Sequence, residues 1–404
     1  MSKDSRADLG ASDSRARFRT LTLDRRRFLV LMGGATLATA LPPSLVRAAR
    51  HAERLALQPW SLPESLPAGE HDAVAALVGA AILAPSHWNS QPWRFEYDDG
   101  ELRLVLDGAR TLPGCDPDQR FAQMSLGAAL ENLLVAARAW GQQPTVRHLP
   151  WGLPNRPGVP FVAASISWNG SEARRDRSLF GALAERRSNP RGYDSRGLTL
   201  AHRAALLSQV PDEVRLHWID DRAGRARVAD VVGEAVVAAA RDSRVRADHQ
   251  AWLRESDGDA RRHGDGVTIE RLGYDGPFGW LAERGLRPGG HLRRFGRSWL
   301  GHETSELVRA SGALALLTAP QRSDAGAIVA GQAYERLALK ATTLGLAQQP
   351  LSAATQNEAG RERIARAFGV SGEEPLLLVR FGHAKPVPPS PRRAAALVTS
   401  WHRA

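Results

Sequence analysis

One helical pattern occurs twice in this chain. Gly127-x-x-x-Glu131-x-Leu133, running on to Gly141-Gln142-Gln143-Pro144, is matched 204 positions later by Gly331-x-x-x-Glu335-x-Leu337, running on to Gly345 and Gln348-Gln349-Pro350 with the last three residues slipped by two. An apolar run follows each copy, Val159 to Trp168 in the first and Leu376 to Phe381 in the second. Ala75-Ala76-Leu77, ahead of the first copy, has an echo in Ala204-Ala205-Leu206 ahead of Val214 to Ile219. A repeat of this period predicts two related modules fused in one chain, and 404 residues are enough for two such cores.

Local patterns give the modules their class. Val74, Leu77, Val78, Ala81 and Ile82 fall at helical spacing, and the helix should stop before Pro85. Arg94 to Tyr97 and Glu101 to Leu106 flank Asp98-Asp99-Gly100 and read as a hairpin. A long helix follows from about Phe121 to Trp140, with Leu126, Leu130, Leu133, Leu134 and Ala137 on one face. The expected fold is therefore α+β, each module an antiparallel-rich sheet packed with helices. The first module is expected over residues 71–170 and the second over 171–404, with residues 49–70 a linker or arm on the surface. The second copy holds an insertion at about residues 222–310. It opens with an amphipathic helix through Val228, Val231, Val232, Ala235 and Val236. The stretch Gly264 to Leu300, rich in glycine, arginine and aromatic residues, fits a loop-rich lid over a ligand or a peripheral packing element better than a core layer.

The formal charge of +11 invites a nucleic-acid reading, but its distribution argues otherwise. Residues 1–48 hold nine basic side chains against four acidic ones, so about half of the excess lies in that segment. Arg25-Arg26-Arg27-Phe28-Leu29 leads into an apolar run from Leu31 to Leu45, and Val46-Arg47-Ala48 ends it with small residues at a cleavage position. That order of a basic region, a short apolar stretch and small residues describes a signal peptide, and the paired arginines resemble the twin-arginine export motif. Residues 1–48 are thus expected to address the chain to the periplasm or another extracytoplasmic space, exported folded through the twin-arginine translocation machinery. No stable membrane insertion is expected after processing. One cysteine, Cys115, cannot close an intrachain disulfide or build a thiolate metal cluster.

Four stretches carry the chemistry. The most specific is Ala84-Pro85-Ser86-His87-Trp88-Asn89-Ser90-Gln91-Pro92-Trp93-Arg94-Phe95. It resembles the Ala-Pro-Ser-x-x-Asn-x-Gln-Pro-Trp-x-Phe signature of FMN-dependent nitroreductases. Arg186-Arg187-Ser188-Asn189-Pro190-Arg191-Gly192-Tyr193 is similar to the family's Arg-Arg-Ser-x-Arg-x-Phe element, with one residue too many before the aromatic. Leu344 to Ser352 looks like the segment that faces the flavin ring. Phe381-Gly382 followed by Arg392-Arg393 resembles the last strand and the terminal phosphate ligands. The resemblance implies FMN as cofactor and a flavin-binding set of Pro85, Ser86, Asn89, Gln91, Arg186, Ser188, Arg191, Gln349, Pro350, Leu351, Arg392 and Arg393. No catalytic acid or base and no metal ligand is implied.

The chemistry of these residue types agrees. Arginines offer forked, permanently charged donors to a phosphate dianion; Ser86, Asn89 and Ser188 suit ribityl hydroxyls; Pro85 and Pro92 stiffen the loop. Trp93 and Phe95 read as core aromatics of a strand, and His87 as a solvated or structural histidine. The Pro-Ser-x-x-Asn loop lies only in the first module and Arg-Arg-Ser only in the second, whose own loop has shrunk to the neighbourhood of Pro211 and His217. The modules are therefore complementary half-donors to one flavin site, which matches the internally duplicated, Acg-like subgroup of the nitroreductases.

The absence of a Gly-x-Gly-x-x-Gly turn, a Gly-x-Ser-x-Gly elbow or a His-Glu-x-x-His pair leaves Rossmann and common hydrolase chemistry unsupported. The expected activity is two-electron hydride transfer through flavin N5 from a small-molecule donor to an electron-poor acceptor such as a nitroaromatic or quinone. The alternative is a protein that binds and sequesters FMN with little or no turnover. Nucleic acid is not an expected partner.

Overall fold

A computed structural model describes residues 58–168, 173–194, 196–274, 279, 282 and 293–402. The stretch expected to direct export and the first part of the expected arm lie outside the described residues, as do Phe278 and Trp280 of the insertion. Helix α1 (Glu70–Ala81) buries Val74, Leu77 and Val78 and ends ahead of Pro85, as its spacing predicts. Strands β1 (Trp93–Asp98) and β2 (Glu101–Leu106) pair antiparallel through Asp98↔Glu101. Asp99 and Gly100 both sit at positive φ in the tight turn between them, the backbone that matches the right-handed twist of a hairpin.

Helix α2 (Arg120–Ala139) is buried on nearly every face, which its run of alanine, glycine and leucine permits. Strands β3 (Thr145–His148) and β4 (Val162–Ser167) extend this sheet in the order β3-β4-β2-β1. Strand β4 begins later than its apolar run predicts, because Pro160 cannot donate to the ladder. Short, largely exposed β3 gives no such pattern and was not expected.

Two short helices, α3 (Phe180–Glu185) and α4 (Leu200–Leu207), lead to β5 (Arg215–Ile219). The insertion then supplies α5 (Arg222–Arg241), α6 (Ser243–Trp252), α7 (Asp257–His263) and α8 (Arg293–Arg309). It is thus more helical than its composition suggests, and its last part, from Arg293, is helix rather than loop. Strand β6 (Ala313–Ala319), helix α9 (Gly326–Thr343), strand β7 (Ala347–Pro350), helix α10 (Glu358–Phe368) and strand β8 (Glu374–Gly382) follow. The second sheet runs β5-β6-β8-β7. Setting aside the strand that the tail adds to the first sheet, each sheet read from its first strand has the same order, first, second, fourth, third, all antiparallel.

The two long helices cross where the repeat places its glycines. A Cβ on Gly127 would lie 1.9 Å from the carbonyl oxygen of Ile328, and one on Gly331 would lie 2.0 Å from that of Met124. Each contact is the other displaced by 204 positions, so the backbones touch through equivalent residues. Past β8 the tail returns to the first sheet, where β9 (Thr399–Trp401) pairs parallel with β1. This return places Arg392 beside the loop after α1.

Candidate functional site

The segment Pro85–Pro92 is held in an unfavourable backbone. Trp88, Asn89 and Gln91 all have φ between 52 and 53°, a left-handed conformation that costs a non-glycine residue about 1–3 kcal/mol and collects at functional sites. Surrounding bonds hold it there. Asn89 Nδ2 donates to the carbonyls of Gly266 (3.0 Å) and Pro391 (3.1 Å), and the Gly266 amide donates back to Asn89 O. Gln91 N donates to Ser86 Oγ at 2.9 Å, and Gln91 Nε2 to Gly264 O at 2.7 Å. The loop is therefore stitched on one side to the insertion and on the other to the C-terminal tail. Trp88 anchors it further by stacking on His249 of α6, ring centroids 4.2 Å apart.

The loop walls a cavity of about 310 Å³, a size within the range of small-molecule and cofactor sites. Pro85, Ser86 and Asn89 come from the loop, Arg186 and Ser188 from the segment after α3, Gln349 and Pro350 from β7, and Arg392 from the tail. Eight of the twelve residues expected at a ligand thus share one cavity. Phe121, Met124 and Leu377 add apolar wall, and Val267, Arg271 and Leu272 bring the insertion to it.

The other four lie elsewhere. Gln91 is buried beneath the loop, with Oε1 accepting from the Arg393 amide. Arg393 turns away from the cavity and donates to the carbonyls of Gln91 and Trp93. Consecutive residues of an extended tail point opposite ways, so Arg392 in the cavity sends Arg393 to the strand. Leu351 is packed in the core between the second sheet and the insertion. Arg191 is exposed, and the residue inserted before Tyr193 accounts for its displacement; its carbonyl accepts from Arg380. Asn89 lines the cavity, yet its amide is committed to holding the loop and Arg392, so it serves a ligand through them.

Positive charge dominates one region of the wall. Arg186 and Arg392 are buried, and both donate to the Leu83 carbonyl at 3.2 Å. Arg392 also donates to Asn89 Oδ1 (2.8 Å) and to the Ala84 carbonyl (3.0 Å). Burial and the charges of Arg186, Arg187 and Arg271 push the Arg392 guanidinium well below its ordinary range. Burial, then Arg186, lowers Arg187 to about 10. Arg271 has its own carboxylate, Asp257. Arg186 pairs with Glu335, Nε to Oε1 3.1 Å, and burial raises the Glu335 carboxyl to about 7 even so. Arg186 Nη1 and Arg392 Nε are buried without a partner. Buried donors are seldom left so, and this cluster holds more cation than its acids answer.

Trp60, Arg187, Tyr334 and Glu335 were not expected here. Trp60 belongs to the supposed surface arm, but it lines the cavity and its ring lies against Arg187. Tyr334 donates to Gln348 Oε1 at 2.9 Å, which ties β7 to the Arg186–Ser188 segment through the Ser188↔Gln348 bridge. Buried Arg380 holds that segment from below, donating to the carbonyls of Asn189 and Arg191 and to Gln349 Oε1. His87 is on the wall rather than solvated. Burial, then His249, lowers it to about 3, so it is neutral, with Nε2 3.2 Å from Ser352 Oγ and Nδ1 unpartnered. Among the described residues no cluster of histidine, cysteine or acidic groups could hold a metal, and no helix is long and apolar enough to cross a membrane.

Residues 183–383 match the family model described as the nitroreductase family. Over 345 residues the chain is 27% identical to the "Putative NAD(P)H nitroreductase Rv3131" of Mycobacterium tuberculosis, covering 82% of this chain and 92% of that protein. Over 341 residues it is 27% identical to the "Putative NAD(P)H nitroreductase acg" of the same organism, covering 80% and 93%. Among solved structures, the FMN-dependent nitroreductase NfnB of Mycobacterium smegmatis, in complex with NADPH, aligns at 21% identity. It covers 51% of this chain and 88% of that one, with a TM-score of 0.32. A nitroreductase with bound FMN from Desulfitobacterium hafniense aligns at 15% identity over 52% and 92%, with a TM-score of 0.34.

Proposed function

We propose that this protein is an FMN-dependent oxidoreductase of nitroreductase type with one cofactor site per chain. We further read its two halves as fused copies of one module. The observation that carries the first reading is the pair of buried arginines, Arg186 and Arg392, with unpartnered donors on the wall of a cavity that Arg187 and Arg271 also line and that also offers apolar and short polar side chains. A phosphate dianion answers their charge and supplies acceptors for both orphaned N–H groups. The apolar wall from Phe121, Met124 and Leu377 suits a flat ring system.

Arg186 and Arg392 would hold the phosphate, with Ser86 and Ser188 as polar contacts and Gln349 and Pro350 as the strand edge beside the ring. When bound, FMN supplies two-electron chemistry, between a small-molecule donor and an electron-poor acceptor such as a nitroaromatic or quinone. The chain's own part is to bind, to orient and to limit water. Glu335 fixes Arg186, Asn89 fixes Arg392, and Arg380 fixes Gln349. Neutral His87 adds no cation that would compete with the arginines for the phosphate. The relatives' names carry NAD(P)H, and we take a nicotinamide or another small hydride donor as the reductant.

The equal strand order of the two sheets and the reciprocal contacts of Gly127 and Gly331 support the fused-module reading. It predicts one flavin per chain, because the loop belongs to one half and the arginine pair to the other half and the tail. The test is to purify the protein, denature it and quantify what is released. One equivalent of FMN is expected; two equivalents, or none after reconstitution, would overturn the proposal.

A second reading, an FMN holder with little turnover, is favoured by the insertion, whose Val267, Arg271 and Leu272 close part of the cavity wall. Reduction by dithionite but by no small hydride donor would select it. We also propose that the chain is exported folded, to the periplasm or a similar space, on the strength of Arg25 and Arg26. A doubly substituted R25K and R26K chain is expected to stay in the cytoplasm, and unchanged export would sink that assignment.

A further inference from the structure

The arm ahead of α1 forms part of the cavity wall. Trp60 stands in the single turn Gln58–Trp60, and its indole covers two members of the arginine cluster. The Arg187 guanidinium lies 3.9 Å from the ring centroid and that of Arg392 lies 5.0 Å from it. The ring is pinned from its far edge by Nε1, which donates to Ser390 O at 3.0 Å, and Ser390 itself lines the cavity. Leu62 and Leu66, next along the arm, pack on the core of the first sheet and anchor the arm there.

An aromatic face attracts guanidinium ions and gives nothing to an anion. It therefore steadies Arg187 and Arg392 against their mutual repulsion. It also keeps water from one side of them, so an ionic contact made on the open side is felt more strongly. The indole's only polar atom is already engaged by Ser390. A group that continued past the arginines would meet this ring and find no partner on it.

We propose that Trp60 determines cofactor specificity: it seals the arginine end of the cavity so that the site takes a flavin ending in a single phosphate, retains it, and turns away a flavin extended by a second phosphate and nucleoside. The inference rests on the flavin reading of the cavity. Trp60 acts on the phosphate end alone, so riboflavin, which lacks the phosphate, is the internal control.

Apoprotein is titrated with FMN, riboflavin and FAD by flavin fluorescence, and FMN dissociation is timed after dilution. Wild-type protein that binds no flavin overturns the cavity's reading and this inference together; the variants matter only once FMN binds. In W60L, which keeps apolar bulk without the π face, FMN is expected to leave about tenfold faster. Its preference for FMN over FAD should fall about fivefold or more, while riboflavin affinity stays within about twofold. W60F keeps the face and loses the bond to Ser390, and FMN should leave about two- to threefold faster from it. Should W60L fail to fold, W60F carries the test. An FMN dissociation rate unchanged in every variant that folds, or an equal loss of FMN and riboflavin, overturns the proposal while the flavin site stands.

Discussion

Glu131 and Glu335 occupy equivalent points of the two crossing helices, yet one is fully answered and the other is not. Glu131 is met by Arg138 at 2.6 Å, by Arg336 at 2.7 Å and by Gln332 at 3.1 Å, the last two from α9. The reciprocal contact brings Asn132 of α2 to Glu335, amide nitrogen to Oε1 2.9 Å, where Arg336 serves Glu131. Asn132 and Arg336 are themselves 204 positions apart. Where one helix offers a cation the other offers a neutral amide, and among the described residues the cation paired directly with Glu335 is Arg186, drawn from the loop after α3. The same scaffold position is structural in one half and, in the other, part of a cluster that keeps donors open. The sheets differ in parallel. Strand β2 alternates half-buried and buried positions over its first four residues, as a sheet with one packed face does, whereas every residue of its counterpart β6 is buried between α9 and the insertion helices.

The equivalence itself can be broken at the crossing. Replacing Gly127 or Gly331 by valine sets side-chain atoms on a backbone carbonyl that cannot yield. Each change is expected to destabilise by about 4 kcal/mol or more in urea unfolding, by overpacking at an immovable neighbour. A variant of either glycine as stable as wild type would show that the contact is not shared.

The asymmetry is next. R392A is expected to weaken FMN binding about 100-fold, about 3 kcal/mol for charge-assisted bonds to a phosphate, and R138A to leave it unchanged. Fluorescence titration checks both, and comparable losses would erase the distinction between the halves. E131Q leaves Arg138 and Arg336 facing a neutral amide. It should cost about 2 kcal/mol or more of stability, the penalty of uncompensated, partly buried charge, with FMN affinity intact.

Much of this was readable in order along the chain, for reasons that differ by residue. Asp99-Gly100 between two alternating runs leaves little but a tight hairpin. The paired glycines of the repeat mark the crossing because only a residue without Cβ lets backbones touch there. The Pro85–Pro92 string was readable because its residues are contiguous. Long-range partners were not. Arg380 and Arg392 look alike among 54 basic residues, three of them lysine, and only the fold shows that one holds carbonyls while the other faces the cavity. Trp60 was hidden by the proline- and serine-rich composition around it, which reads as surface. Arg393 and Gln91 were expected at the ligand because their neighbours are, yet adjacent residues of an extended segment face opposite ways. Strand β9 is three residues long and exists only because the tail finds the edge of β1.

The smallest effect separates the two carboxylates by pH. Burial raises Glu335 to about 7 in the folded chain, above the roughly 4.3 of an unfolded glutamate. Between those values the folded state holds the extra proton. Stability owed to this group is therefore full below about pH 4.3, falls as pH rises toward 7, and is flat beyond. E335Q carries no ionisable group there and escapes that loss, while forfeiting the pair with Arg186 to the same degree throughout the flat region. The unfolding free energy of E335Q, relative to wild-type apoprotein, should thus drift in the variant's favour from pH 5 to pH 7.5. The drift is expected to be on the order of 1 kcal/mol. Urea midpoints at half-unit steps measure it. A difference that stays constant over this range would mean that Glu335 is as well answered as Glu131, and that the two halves are electrostatically alike.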